Sequence, residues 1–160
     1  MAAMTQAQQQ HDDESRRERV NRELIELLDE LRVALPGVQV LFAFLLAVPF
    51  SNGWKRITDF QKNVFFATLI ATTISTACFI VPTAYHRINF REREKEQILY
   101  TSNKFSVAGI GFLAFAMVGV IVLVSDVIYS RSAALVIGAL TLVVIGSLWF
   151  ALPLLRRVGD

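Results

Sequence analysis

Residues 105–125 read FSVAGIGFLAFAMVGVIVLVS, and this stretch decides the fold. It contains no charged residue, and as a helix it would be about 32 Å long, enough to cross a hydrocarbon core of about 30 Å. Three more uncharged runs of similar length occupy 33–50, 63–85 and 132–155. The chain of 160 residues is 54% hydrophobic and only 19% charged, which is too apolar for a soluble domain of this size. We predict four transmembrane segments.

The apolar runs favour helices over strands. Backbone amides and carbonyls in lipid must bond within the protein, so a membrane is crossed either by helices or by a closed barrel. Barrel strands alternate apolar and polar residues, whereas 41–48 and 118–124 are apolar at nearly every position. We therefore predict an all-α polytopic membrane protein with a domain at 36–155. Its four transmembrane helices are expected at about 34–50, 63–85, 105–125 and 132–154.

Positive charges are unevenly divided between the segments that flank these spans. Lysine and arginine beside a span are retained on the cytoplasmic side. The segment before the first span, the loop at 86–104 and the C-terminal tail at 156–160 together carry twelve of them, and the other two connections carry four. We expect a multi-pass protein of the cytoplasmic (inner) membrane with both termini in the cytoplasm. The four positive residues in the other two connections are Lys55, Arg56, Lys62 and Arg131.

A polar stretch with regularly spaced leucines precedes the first span. Ser15 and Glu18 fit a capping box, in which each side chain accepts a hydrogen bond from a backbone amide at the start of a helix. We predict a disordered tail at 1–14 and a cytoplasmic amphipathic helix at 15–35. Leucines at steps of three and four residues form one apolar face of this helix, and they are the candidate partner-contact face: Leu24, Leu27, Leu28 and Leu31.

The charge of this helix bears on what its leucine face contacts. Residues 12–32 hold eight acids and five arginines, a net charge of −3, which opposes binding to anionic lipid. The face is therefore predicted to pack against protein: the chain's own cytoplasmic loop, another copy or a different subunit. A position on the lipid surface is the alternative. Pro36 and Gly37 then mark a bend or joint before the span.

The cytoplasmic loop at 86–104 is highly charged. Its central residues alternate in sign from Arg91 to Glu96, as solvated helical faces often do. A helix that projects from the membrane would explain the pattern, and a docking surface is the alternative.

Inside the membrane, helices associate through small residues and side-chain hydrogen bonds. Small residues lie along one face of the third span (Ala108, Ala116, Gly119) and of the fourth (Ala134, Gly138, Gly146). The second span carries a polar stripe, which consists of Thr68, Thr72, Ser75 and Thr76. These hydroxyls could line an ion path, or they could bond the preceding turn of their own helix and serve packing.

Other chemistry has little support in the sequence. Proton-coupled transporters usually need an ionisable group at membrane depth, and the span centres hold none. There is no HExxH, no zinc-spaced cluster and no phosphate loop. We expect a non-catalytic protein without a cofactor or metal and without nucleic acid as a partner.

Two stretches resemble a known family. Residues 30–46, reading ELRVALPGVQVLFAFLL, and 79–87, reading FIVPTAYHR, resemble a family of small, uncharacterised four-span bacterial membrane proteins, some of which are labelled sodium/proton antiporters. The resemblance runs from about residue 22 to the end of the fourth span and implies the four-span fold. If the family pattern includes a working region, the matching residues form a site at the cytoplasmic boundary: Pro36, Gly37, Gln39, Pro82, Tyr85, His86 and Arg87.

Two functions from different classes follow. The first is a membrane protein that acts through helix-mediated protein contacts, as a homo-oligomer or as an accessory subunit of a membrane complex. The alternative is a small oligomeric ion channel or cation/proton transporter lined by the second transmembrane helix. In either case the expected partners are membrane lipids and itself or another membrane protein.

Overall fold

The computed structural model describes the backbone of residues 2–88 and 95–151, and side chains within 18–84 and 98–149. Four α-helices make up most of these ranges, which contain no strand, so the all-α prediction is confirmed. The helices are α1 (Ala2–Ala47), α2 (Asp59–Ile88), α3 (Lys95–Ile128) and α4 (Arg131–Gly146). Short helical turns at Val48–Phe50 and Trp54–Arg56 join α1 to α2, and Ser147–Ala151 extends α4.

Each helix contains a segment that is long and apolar enough to cross a membrane. The described helices that contain these segments are Glu18–Phe50, Asp59–Ala84, Ile98–Ile128 and Arg131–Trp149. Large apolar side chains on them, such as Phe44, are exposed on the outside of the bundle, as expected where lipid is the solvent. The prediction of four membrane-spanning helices is confirmed in the length and composition of the described helices.

Helices α2 and α3 form the main contact of the bundle and run antiparallel, and α3 also packs against α1 and α4. Ser75 of α2 bonds Gly109 of α3, and Gln61 of α2 bonds Asp126 of α3. The later residue of α2 thus pairs with the earlier residue of α3, as in an antiparallel pair. One third of the apolar window of α2 is buried (33%), against 11–22% for the other spans. A bundle of this kind depends mainly on the α2–α3 contact.

The other two helices pack on this pair from different sides. Leu31 and Val38 of α1 form a core cluster with Phe79 of α2, and Ile110 and Leu113 of α3 pack against it. Helix α4 approaches α3 through a glycine, since a Cβ added at Gly138 would collide with Val122. Helix α1 runs parallel to α3, and α4 runs antiparallel to α3.

Helix α1 differs from the sequence prediction at two places. It begins at Ala2 and not at Ser15, so it includes the residues predicted as a disordered tail. The first residues are rich in alanine, methionine and glutamine, which are good helix formers. The helix also continues through Pro36, where a joint was predicted. Proline removes one backbone hydrogen bond, but Leu31 and Val38 lie in one cluster and keep both sides of the proline packed.

Helix α3 starts earlier than the predicted third span. It begins at Lys95, inside the segment predicted as a cytoplasmic loop. Residues 89–94 of that loop, the C-terminal tail at 156–160 and the side chain of Ser15 lie outside the described residues. The charged beginnings of α1 and α3 therefore extend past the apolar part of the bundle at the same end.

Candidate functional site

The predicted hydroxyl stripe lies on the buried side of α2. Thr68, Thr72 and Ser75 are buried, and Thr76 is half-buried. Each of the three threonines donates to the carbonyl four residues earlier: Thr68 to Val64 at 2.7 Å, and Thr72 and Thr76 to their carbonyls at 2.8 Å. In this arrangement the hydroxyls satisfy their own helix.

Ser75 is the exception, because its hydrogen bond crosses to another helix. Its Oγ donates to the carbonyl oxygen of Gly109 on α3 at 2.8 Å. Glycines let the two backbones come this close. A Cβ at Gly109 would lie 2.6 Å from a ring carbon of Phe79, and one at Gly119 would collide with the hydroxyl of Thr68. The stripe is therefore embedded in a tight interface within one chain.

Small residues of α3 and α4 take part in this packing, except Ala108 and Gly146; Gly146 is half-buried, and a Cβ there would meet nothing within 4 Å. Ala116, Ala134 and Gly138 are buried, as a small-residue interface requires. Ala108 is exposed, and its neighbour Gly109 makes the close contact instead. The sequence spacing placed the small face of α3 one residue away from its true position at this end.

The residues matched to the resemblance differ in their exposure where their side chains are described. Pro36, Gly37 and Gln39 are exposed on α1, and a Cβ at Gly37 would meet nothing within 4 Å. Pro82 is fully buried inside α2. The side chains of Tyr85, His86 and Arg87 lie outside the described residues.

The leucine face of α1 is covered largely by the chain itself. Leu24 and Leu31 are buried, with 4% and 5% exposure, and Leu27 and Leu28 are half-buried. Leu27 packs against the cluster around Leu31 and Phe79. Among the alternatives left open by the sequence, the contact described here is therefore one within the chain, and it leaves little of the face for another protein.

An open groove separates the charged beginnings of α1 and α3. It has a volume of about 550 Å³. Apolar positions on both walls, among them Val20 and Leu99, give it an apolar floor, and Tyr100 of α3 stands at its side with 63% exposure. We call it the acidic groove, and its lining consists of Arg19, Val20, Glu23, Glu26, Leu27, Glu30, Leu99, Tyr100 and Asn103.

Negative charge dominates the α1 wall of the acidic groove. Three glutamates and one arginine lie on this wall. Glu26 is 4.0 Å from Arg22, but both side chains are about two-thirds exposed or more, so water screens this pair. Glu23 and Glu30 have no cation within 4 Å among the side chains that the structure describes. On the other wall, Lys104 lies 4.2 Å above the ring of Tyr100.

A polar network at the opposite end of the bundle was missed by sequence reasoning. Gln61 of α2 donates through Nε2 to Asp126 Oδ2 at 2.8 Å. The Asp126 side chain is only 6% exposed and lies 3.8 Å from Arg131 Nε. Arg131 in turn stacks above the ring of Phe60 at 4.3 Å. The network ties α2, α3 and the start of α4 together.

One sequence signal could have located part of this network. Thr58 and Gln61 have the spacing of a capping box, and they form one: the amide of Thr58 donates to Gln61 Oε1 at 3.0 Å, and the amide of Gln61 donates to Thr58 Oγ1 at 3.3 Å. The box fixes Gln61 at the first turn of α2. No comparable signal links Gln61 to Asp126, because the two residues are 65 positions apart.

Comparison with known proteins identifies a family and no activity. No curated protein and no solved structure matches the chain. A family model matches residues 13–153, so the similarity begins somewhat earlier than the stretch around residue 22 from which the resemblance was expected to run. The match covers most of α1 and the whole of α2, α3 and α4. The chain belongs to the family described as "Family of unknown function (DUF6328)".

Proposed function

We propose that this protein is a non-catalytic integral membrane protein that acts through helix-mediated protein contacts, as a homo-oligomer or as an accessory subunit of a membrane complex. The observation that carries the proposal is the acidic groove. It is an open feature of about 550 Å³ built from the charged beginnings of α1 and α3, which lie before the uncharged runs at 33–50 and 105–125. A groove between projecting helices is a common place for a partner segment to bind.

The chemistry of the groove favours a basic partner segment with an apolar side. Glu23 and Glu30 supply negative charge without a cationic partner among the described side chains. Val20 and Leu27 supply apolar contact between the charges. A helix or loop with lysine or arginine beside apolar residues would match both properties. Anionic lipid would be repelled by the same carboxylates.

The sequence supports a cytoplasmic position for this groove. The twelve lysines and arginines at the ends that include the groove, against four at the other end, favour the cytoplasmic side for both termini. The partner contact is then made at the cytoplasmic face of the inner membrane.

An ion channel or transporter lined by α2 is less well supported. Its proposed lining, at Thr68 and Thr72, is buried against α3 and hydrogen-bonded to its own backbone. A conducting path would require these groups to face water or an ion. Such a path would require the α2–α3 contact to rearrange, and nothing in the described residues indicates such a rearrangement.

The proposal is tested by the mass and composition of the protein in native nanodiscs, combined with a photo-crosslinker at Tyr100 in the groove. The charge-reversed variant Glu23→Lys with Glu30→Lys changes two groove carboxylates. The matched control is Glu18→Lys with Asp29→Lys, which makes the same change of charge on exposed positions of α1 that do not line the groove.

The expected result is a complex with a second copy or a foreign subunit that crosslinks at Tyr100. The groove variant should lose this partner, and the control should keep it. A bare monomer without a crosslink, or equal loss in both variants, would contradict the proposal. Sustained ion flux in liposomes that is abolished by Thr72→Val would favour the channel instead.

A further inference from the structure

A second concave feature lies at the other end of the bundle, beside the link between α1 and α2. It has a volume of about 200 Å³ and is lined mainly by Val48, Trp54, Ile57, Leu123 and Val127, with Gln61 also in the lining. We call it the apolar cleft. The first span ends at Phe50 and the second begins at Asp59, so the cleft lies where the helices leave the hydrocarbon core.

The polar groups near the apolar cleft already have partners. Gln61 accepts from the Thr58 amide and donates to Asp126. Ser51, which also borders the cleft, donates to the carbonyl of Val48 at 2.8 Å. A polar ligand would find few unused donors or acceptors there. The lining therefore selects an apolar occupant such as an alkyl chain.

The charges around the cleft are unevenly matched. Asp59 pairs with Lys62 at 3.0 Å, and Asp126 lies 3.8 Å from Arg131. Lys55 and Arg56 directly follow Trp54 of the cleft lining and are exposed, and neither has a carboxylate within 4 Å among the described side chains. Both acids at this end are thus engaged, and the two remaining cations flank the apolar cleft.

We propose that the apolar cleft binds one acyl chain of an acidic phospholipid whose phosphate is held by Lys55 and Arg56. The apolar lining explains the chain, and the two adjacent cations explain the preference for an anionic headgroup. Trp54 joins the two parts, since tryptophan favours the membrane–water interface. Its ring is also held edge-to-face against Phe65 at 4.8 Å. The inference needs only that the helices cross a membrane and does not depend on the acidic groove.

Fluorescence quenching by brominated lipids tests this site. The chain has two tryptophans, so Trp149→Phe leaves Trp54 as the only tryptophan in the full-length protein, and its emission is excited selectively over that of tyrosine. The protein is reconstituted in phosphatidylcholine vesicles that contain increasing fractions of phosphatidylglycerol or phosphatidylcholine with brominated acyl chains. Half-maximal quenching of Trp54 should occur at a severalfold lower fraction of the brominated phosphatidylglycerol. Lys55→Ala and Arg56→Ala should each reduce that preference by about fivefold.

Two matched controls separate the site from general attraction. Lys62→Ala removes a cation that is already paired and should keep the preference. Leu123→Phe or Val127→Phe fills the cleft and should abolish the preference, whereas Val124→Phe adds the same ring on an exposed position that does not line the cleft. Equal quenching by both lipids would overturn the proposal. A preference that survives both cleft-filling variants, with native helicity by circular dichroism, would overturn it as well.

Discussion

The α2–α3 interface and the acidic groove show opposite ways of bringing two helices together in this molecule. In the interface, Gly109 and Gly119 remove the side chains that would separate the helices, and Ser75 bonds directly across. In the groove, glutamates line one wall and about 550 Å³ stays open. The α2–α3 interface stabilises the fold of the chain. The groove leaves carboxylates available to a binding partner.

The environment explains this difference. In hydrocarbon, helices gain nothing from leaving water, so close packing and hydrogen bonds must hold them together. Beyond the hydrocarbon, exposed carboxylates are solvated at little cost, so a wide gap is tolerated. Substitutions in the interface should therefore change stability, and substitutions in the groove should change interactions.

The largest loss of stability is expected for Gly119→Ala. The added Cβ would collide with the Thr68 hydroxyl, and overpacking of this kind costs about 1 to 3 kcal/mol. Gly111→Ala is the matched control on the same helix, because a Cβ there meets nothing within 4 Å. Unfolding of both variants by denaturant in detergent micelles measures the difference. Equal stability of the two variants would show that the α2–α3 contact is looser than described.

A somewhat smaller loss is expected for Asp126→Ala, at the end of the same pair of helices. The change leaves the Gln61 amide without its acceptor at 2.8 Å, and a buried donor without a partner costs about 1 to 3 kcal/mol. Asp59→Ala serves as the control, since that side chain is 94% exposed and its pair with Lys62 is solvated. The control should change the unfolding free energy by less than about 0.5 kcal/mol. A larger effect of Asp59 than of Asp126 would contradict the network.

Much of the fold was predictable because lipid imposes strict rules on the sequence. Four long apolar runs required four helices, and the hydroxyl spacing placed Thr68, Thr72 and Ser75 on one face of α2. The sequence pattern did not specify which protein covers the leucines at Leu24 and Leu31, because an apolar face is equally suited to any apolar partner. In the structure Leu31 packs with Phe79 of α2 and with Ile110 of α3, and Leu24 is buried as well.

The candidate sites at the ends were harder to predict. The acidic groove depends on the distance between the beginnings of α1 and α3, and no local pattern encodes that distance. The contact between Gln61 and Asp126 depends on the register of α2 against α3, which is fixed by glycine positions far from either residue. The start of α1 was placed too late because the capping-box pattern at Ser15 suggested a terminus within a longer helix.

Ser75 and Ser102 are both buried between the helices, and they differ in whether the hydroxyl has a hydrogen-bond acceptor. Ser75 Oγ has the Gly109 carbonyl as its acceptor, whereas the fully buried Ser102 Oγ has no hydrogen-bond partner among the described residues. Ser75→Ala should cost about 0.5 to 1.5 kcal/mol, and Ser102→Ala should be neutral or slightly stabilising. The same denaturant series measures both. A clear loss for Ser102→Ala would mean that its hydroxyl has an acceptor outside the described residues.

A small gain of stability is expected in the acidic groove. Glu26 and Glu30 are one helical turn apart on α1 and both line the groove, and like charges at this spacing repel by about 0.2 to 0.5 kcal/mol. Glu30→Gln should therefore raise the unfolding free energy by about that amount at low salt. The gain should vanish near 1 M salt, where the screening length is about 3 Å. A loss of stability would instead mean that the Glu30 carboxylate has a cationic partner within the chain, and the groove would then not be an open acidic surface.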